Sequence, residues 1–131
     1  MDIRRFDLET RGLARVLGEL EAKILEIVWT AERVTVKDVA DALGPNAHIK
    51  TTMTVMNRMV DKELLVRERQ GRAFYYQAGT DRETFMAQVA DRVMAGLLAD
   101  FRLPTLAHLV GTADPEQLTE LEALIRSRRG T

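Results

Sequence analysis

The chain has 131 residues, 46% hydrophobic and 30% charged, with a formal net charge of −1. Length and composition suit one compact domain, or a small domain plus an appended oligomerisation segment. The absence of cysteine excludes disulfides, thiolate metal sites and cysteine nucleophiles, and with His48 and His108 as the only imidazoles neither a metal nor a cofactor is expected.

The first seventeen residues form an N-terminal extension in which Arg4, Arg5, Arg11 and Arg15 lie among scattered apolar residues. Three readings fit them: a basic arm, a short helix or a frayed end. Met1 to Arg5 carry charges where a signal peptide needs an apolar stretch, and no apolar run approaches the roughly 20 residues of a membrane span. A soluble cytoplasmic protein with no membrane partner is the expectation.

Residues 18–79 read as one small domain. From Glu19 to Trp29, Leu20, Ile24, Leu25, Ile27 and Val28 recur at helical spacing, with Glu19, Glu21, Lys23 and Glu26 on the other face. Thr35 stands three residues before Asp38, as in a capping box, and Val36, Val39, Ala40 and Leu43 continue a short second helix that ends at Gly44-Pro45. A third pattern runs from about Ile49 to Glu63. Thr52, Val55, Met56, Met59 and Val60 share one face of it, and Lys50, Thr51, Thr54, Asn57, Arg58 and Asp61 share another. Leu65 to Arg69 and Ala73 to Gln77 then read as two strands around a tight turn at Gln70-Gly71, a hairpin wing.

Residues 80–131 read as helical. Thr80 with Glu83 resembles a second capping box, opening a helix of about twenty residues that carries Phe85, Met86, Val89, Val93, Leu97 and Phe101. Pro104 is expected to break it and Leu106, Leu109 and Val110 to form a short helix. Asp114-Pro115 starts a last helix with Leu118, Leu121, Leu124 and Ile125. The apolar residues Phe85, Val89, Val93, Leu97 and Phe101, with Leu118, Leu121 and Leu124, exceed what one thin helical layer can bury against itself, which marks them as dimerisation residues.

The fold class is therefore mainly α with a small β-hairpin: a winged helix-turn-helix followed by a helical dimerisation domain. Charge supports a nucleic-acid partner locally. Between His48 and Gly79 six basic residues (Lys50, Arg58, Lys62, Arg67, Arg69, Arg72) face three acidic ones, whereas from Thr80 onward acidic residues outnumber basic. A helix enters the major groove only when another helix supports it, and small hydroxyls, an amide and cations are what base-edge and phosphate contacts call for. Thr51, Thr54, Asn57 and Arg58 are thus expected near base edges, and Lys50, Arg67, Arg69 and Arg72 on phosphates. An exposed Thr/Asn/Arg face is by itself more often merely solvated; the order helix, helix, turn, helix, basic hairpin is the specific signal.

Blander assignments hold elsewhere. Met56 and Met59 read as core and only Met53 as exposed. Trp29 and Tyr76 read as core or core edge, holding the wing, and His48 as a turn residue. Carboxylate pairs such as Asp38 with Asp41 lack a nucleophile or phosphate loop nearby, so no enzyme is expected.

The segments LGELEAKILEIVW (Leu17 to Trp29) and TTMTVMNRMVDKELLVRERQGRAFYY (Thr51 to Tyr76) resemble the BlaI/MecI/CopY family of penicillinase-type repressors. The resemblance implies a winged helix DNA-binding transcriptional repressor whose C-terminal helices make a homodimer, so that two recognition helices read palindromic operator DNA. Some members are inactivated by proteolysis near an Asn-Phe pair in the dimerisation segment. Asp100-Phe101 lies at the similar place, with Asp for Asn, and would be where an inactivating protease acts. The copper-responsive branch carries C-terminal cysteines that this chain lacks. Position 52 is Thr where the family usually has Val, and on a core face its hydroxyl is expected to bond back to a helix carbonyl. The rival reading is a winged helix protein-interaction module without specific DNA binding, which the clustered wing cations disfavour.

Overall fold

The structure, a computed structural model, describes residues 5–130. Helices α1 (Glu19–Ala31), α2 (Val36–Leu43) and α3 (Ile49–Asp61) precede strands β1 (Leu65–Gln70) and β2 (Ala73–Ala78), and α4 (Arg82–Thr112) and α5 (Pro115–Arg129) follow. The chain divides into two compact units, one up to Asp91 and one from Arg92.

The core of the first unit is built by period. Ile24, Leu25 and Val28 of α1, Val39 of α2, and Met56 and Met59 of α3 are sealed from solvent, and Leu65, Val34 and Tyr76 close the layer from the sheet side. Each such side chain contributes about 1.5–3 kcal/mol of burial. Of the three readings open for the N-terminal extension, the described part shows the short helix: a 3-10 turn at Gly12–Arg15 places Leu13, Val16 and Leu17 in this core.

Local signals set the element ends. Thr35 Oγ1 accepts from Asp38 N–H at 3.1 Å, and Asp38 Oδ2 accepts from Thr35 N–H at 3.0 Å, a reciprocal cap for α2. α3 ends in a Schellman motif: Glu63 takes the left-handed conformation (φ 64°), Leu64 N–H donates to Met59 O and Glu63 N–H to Val60 O. This turns the chain sharply from α3 into β1. The hairpin closes through Gly71-Arg72, with φ +63° at Gly71, as a two-residue II′-type turn requires of its first residue. Val34 adds a bridge outside β2, exchanging backbone bonds with Tyr76 at 3.0 and 2.7 Å.

One expectation for the C-terminal half needs correction. The cap of α4 is Asp81, whose Oδ1 accepts from Thr84 N–H at 2.7 Å; the Thr80 carbonyl instead accepts from Trp29 Nε1 at 2.9 Å. The span labelled α4 reaches Thr112 as two helices meeting at a kink: Phe101 has non-helical backbone angles (φ −132°, ψ 39°), so the break expected at Pro104 is present, three residues ahead of it, and a second helical stretch carries Leu106, Leu109 and Val110. Proline at 104 removes the N–H that the carbonyl four residues back would use and crowds that carbonyl, so the distortion falls just ahead of it. Counted straight through that kink, α4 is long and apolar enough, by length and composition alone, to cross a membrane. Asp100 and Arg102 stand in the middle of that stretch beside the kink, and a charge at a bilayer centre costs about 2.5–3.5 kcal/mol.

The second unit is the remainder of α4 plus α5. Asp114 caps α5 reciprocally with Gln117, and Pro115 occupies the first turn as expected.

Candidate nucleic-acid interface

Helix α2 packs against α3, and α3 turns Thr52, Met56 and Met59 inward. Thr52 is 2% exposed, and its Oγ1 donates to His48 O at 3.0 Å, the back-bond expected of a hydroxyl on a core face. The same period turns Lys50, Thr51, Thr54 and Arg58 outward, all exposed. Thr54 Oγ1 donates to Lys50 O at 2.9 Å, which spends its proton on the helix and leaves its lone pairs and methyl facing out. Asn57 is only half-exposed, because its Oδ1 accepts from the buried Tyr76 hydroxyl at 2.8 Å and from Arg67 Nη1 at 3.0 Å.

The wing reaches this face through strand register. Tyr76 pairs with Arg67, Phe74 with Arg69, and Ala78 with Leu65, so one face of the hairpin carries Leu65, Tyr76, Arg67, Phe74 and Arg69 in succession. Its base is core: Leu65 and Tyr76 are buried. Its tip is cationic. The Arg67 and Arg69 guanidinium carbons lie 5.0 and 5.8 Å from the centroid of the exposed Phe74 ring, and Arg69 Nε donates to Gly71 O at 2.9 Å. A guanidinium held over a ring face gains about 0.5–1 kcal/mol at an exposed site and loses freedom before any ligand arrives. Arg72 projects from the turn, exposed. Among the described residues neither Lys50, Arg58 nor Arg72 has an ion-pair partner.

All eight residues expected to touch DNA thus lie on α3 and the hairpin, and Asn57 and Arg67 meet directly. Phe74 was not anticipated as part of this surface. The available signal was its alternation with Tyr76 on β2, which places it on the same face as the arginines once the register is known. Arg33 likewise stacks on Tyr75 at 4.1 Å, on the hairpin's opposite face.

Of the residues expected at a dimer interface, Phe85 must be reassigned. It is 2% exposed and packs edge-on against Trp29 at a centroid distance of 5.6 Å, inside the first unit's own core. Val89 also packs against that core. Leu97, Phe101 and Leu124 are exposed, and Val93, Leu118 and Leu121 half-exposed.

The penicillinase repressor family model matches residues 17–127. The chain belongs to the penicillinase repressor family. This is a family of transcriptional regulators, not of enzymes. Among similar proteins, an uncharacterized 16.5 kDa protein of Latilactobacillus sakei is 27% identical over 115 residues, which cover 85% of this chain and 79% of that protein. The transcriptional regulator BlaI of Mycobacterium tuberculosis is 32% identical over 87 residues, covering 64% of this chain and 57% of BlaI. Among solved structures, a MarR family transcriptional regulator from Silicibacter pomeroyi aligns with a TM-score of 0.47 at 23% identity, covering 87% of this chain and 71% of that one. The oxidized form of MarR from E. coli aligns at 0.44 and 13%, covering 82% and 71%.

Proposed function

We propose that this penicillinase repressor family member is a homodimeric repressor that binds a palindromic operator, with residues 18–79 reading DNA and the helices after Thr80 supplying the dimer interface. The observation that carries the DNA-binding part is the outward side of α3. Lys50, Thr51, Thr54 and Arg58 are exposed and continuous with a wing whose Arg67 and Arg69 are held over Phe74. In this reading Thr51, Thr54, Asn57 and Arg58 approach base edges, and Lys50, Arg67, Arg69 and Arg72 take phosphates.

Dimerisation is supported by the second unit. From Arg92 on, none of the described apolar side chains is buried, and Phe101, Leu103, Leu106, Val110, Leu124 and Ile125 are well exposed. A soluble monomer rarely leaves so many large apolar side chains open on so short a segment. The charges midway along α4 favour a protein partner over lipid as its cover. Two copies joined there would place their recognition helices on half-sites one or more helical turns apart.

The test is a salt titration of binding to random duplex, followed by sequence selection. Arg69→Ala and Arg72→Ala are expected to weaken binding to all duplexes and lower the slope of log affinity against log salt by about 1 each, while Thr54→Ala blurs sequence preference. Absent or salt-insensitive binding would favour the protein-interaction module instead.

A further inference from the structure

We propose that Asn57 presents only hydrogen-bond donors to DNA, held in that orientation by Tyr76 and Arg67, and so favours the acceptor edges of guanine or thymine over the two-bond contact with adenine. The inference deepens the operator-binding reading and rests on it.

The orientation of the amide follows from the chemistry of its neighbours. A guanidinium has donors and no acceptor, so the Asn57 atom facing Arg67 Nη1 at 3.0 Å must be the oxygen. The Tyr76 hydroxyl, 2.8 Å from that same oxygen, must then donate its proton to it. Tyr76 cannot swing away, because its ring is 2% exposed and its backbone is bonded on both sides of Val34. Arg67 is restrained in turn by its position over Phe74.

Two donors therefore occupy the carbonyl of Asn57 before any DNA is present. What remains is the Nδ2 amide, which has no partner among the described residues. An asparagine reads adenine by accepting from N6 with its oxygen while donating to N7, and that mode needs the oxygen free. With the oxygen committed, Nδ2 can donate to guanine O6 or N7 or to thymine O4; it can still reach adenine N7, but without the second bond from N6 and with the N6 donor beside it. Asn57 lies one turn beyond Thr54, on the helix face that also carries Lys50, which places it with the side chains aimed at a groove.

The experiment is selection of preferred sequences from a fully randomised duplex pool by the full chain and two variants, alongside thermal melting. Asn57→Asp keeps both acceptor bonds, to Tyr76 and Arg67, but replaces the donors with a second acceptor oxygen. It should melt close to the parent while one position of each half-site shifts from guanine or thymine to cytosine or adenine, by about tenfold in relative affinity, since a good base contact is worth about 1–3 kcal/mol of discrimination. Tyr76→Phe keeps the ring and loses the donor, and should relax preference at that same position while leaving the others intact. A merely structural role would lower affinity evenly and move no base preference. The proposal is overturned if Asn57→Asp retains the parental preference at every position, whether or not its affinity falls. A parent chain that enriches no sequence overturns the operator reading itself, and this inference with it.

Discussion

Thr52 is a hydroxyl where every neighbouring group on that face of α3 is apolar. Its Oγ1 serves only to bond His48 O, a carbonyl that already accepts from Thr52 N–H at 2.9 Å. The hydroxyl therefore satisfies itself rather than the helix. Thr52→Val removes both the polar atom and its need for a partner, and is expected to leave stability unchanged or raise it by up to about 1 kcal/mol in a denaturant titration. Asp81 is the opposite case. The bonds it accepts from Thr84 hold its carboxyl below the usual carboxylate range. A group depressed in the folded state adds stability above its unfolded pKa, about 3.9, and that contribution disappears as pH falls through the lowered value. Asp81→Ala should therefore melt below the parent at neutral pH, with the gap closing in acid.

At the scale of elements, the sheet is joined to α3 by a backbone contact with no room to spare. Gly79 N–H donates to Leu64 O at 2.9 Å, and a Cβ placed on Gly79 would lie 2.5 Å from the Glu63 carbonyl oxygen. Gly79→Ala must push the end of β2 off the turn that leads out of α3, at a cost of about 1–3 kcal/mol, measured as a lower melting temperature. Caps and helix periods were legible in the sequence because their partners lie three or four residues apart: Thr35 with Asp38, and Met56 with Thr52 and Met59. The start of α4 was not. Thr80 and Asp81 are adjacent candidate caps, and the choice falls to Asp81 while Trp29, fifty-one residues away, takes the Thr80 carbonyl. The Asn57–Tyr76–Arg67 junction was hidden for the same reason, since it depends on the register of β1 on β2 and on where the hairpin meets α3.

At the scale of the molecule, the two ends of the chain treat their apolar residues differently. The first unit seals Ile24, Val28, Val39, Met56 and Met59 completely, while the second leaves Phe101 and Leu124 largely open. Substituting Leu124→Glu should reduce sedimenting mass at micromolar concentration without altering the melting of the winged helix; a parent chain already monomeric there would sink the dimer. Sequence periodicity found these residues but could not sort them, because Phe85 and Leu97 carry the same helical signal. Only the packing of Trp29 against Phe85 separates one that faces inward from one that waits for a partner. The first unit accordingly runs to Asp91, and the opening turns of α4 belong to it. The Arg82 guanidinium stands over Trp29 and pairs with Glu26, fastening those turns to α1 from outside. Anyone cutting the gene to obtain the reading head alone should keep these turns: a fragment stopping at Gly79 leaves the Trp29 indole facing water, and one carried through Asp91 retains its lid.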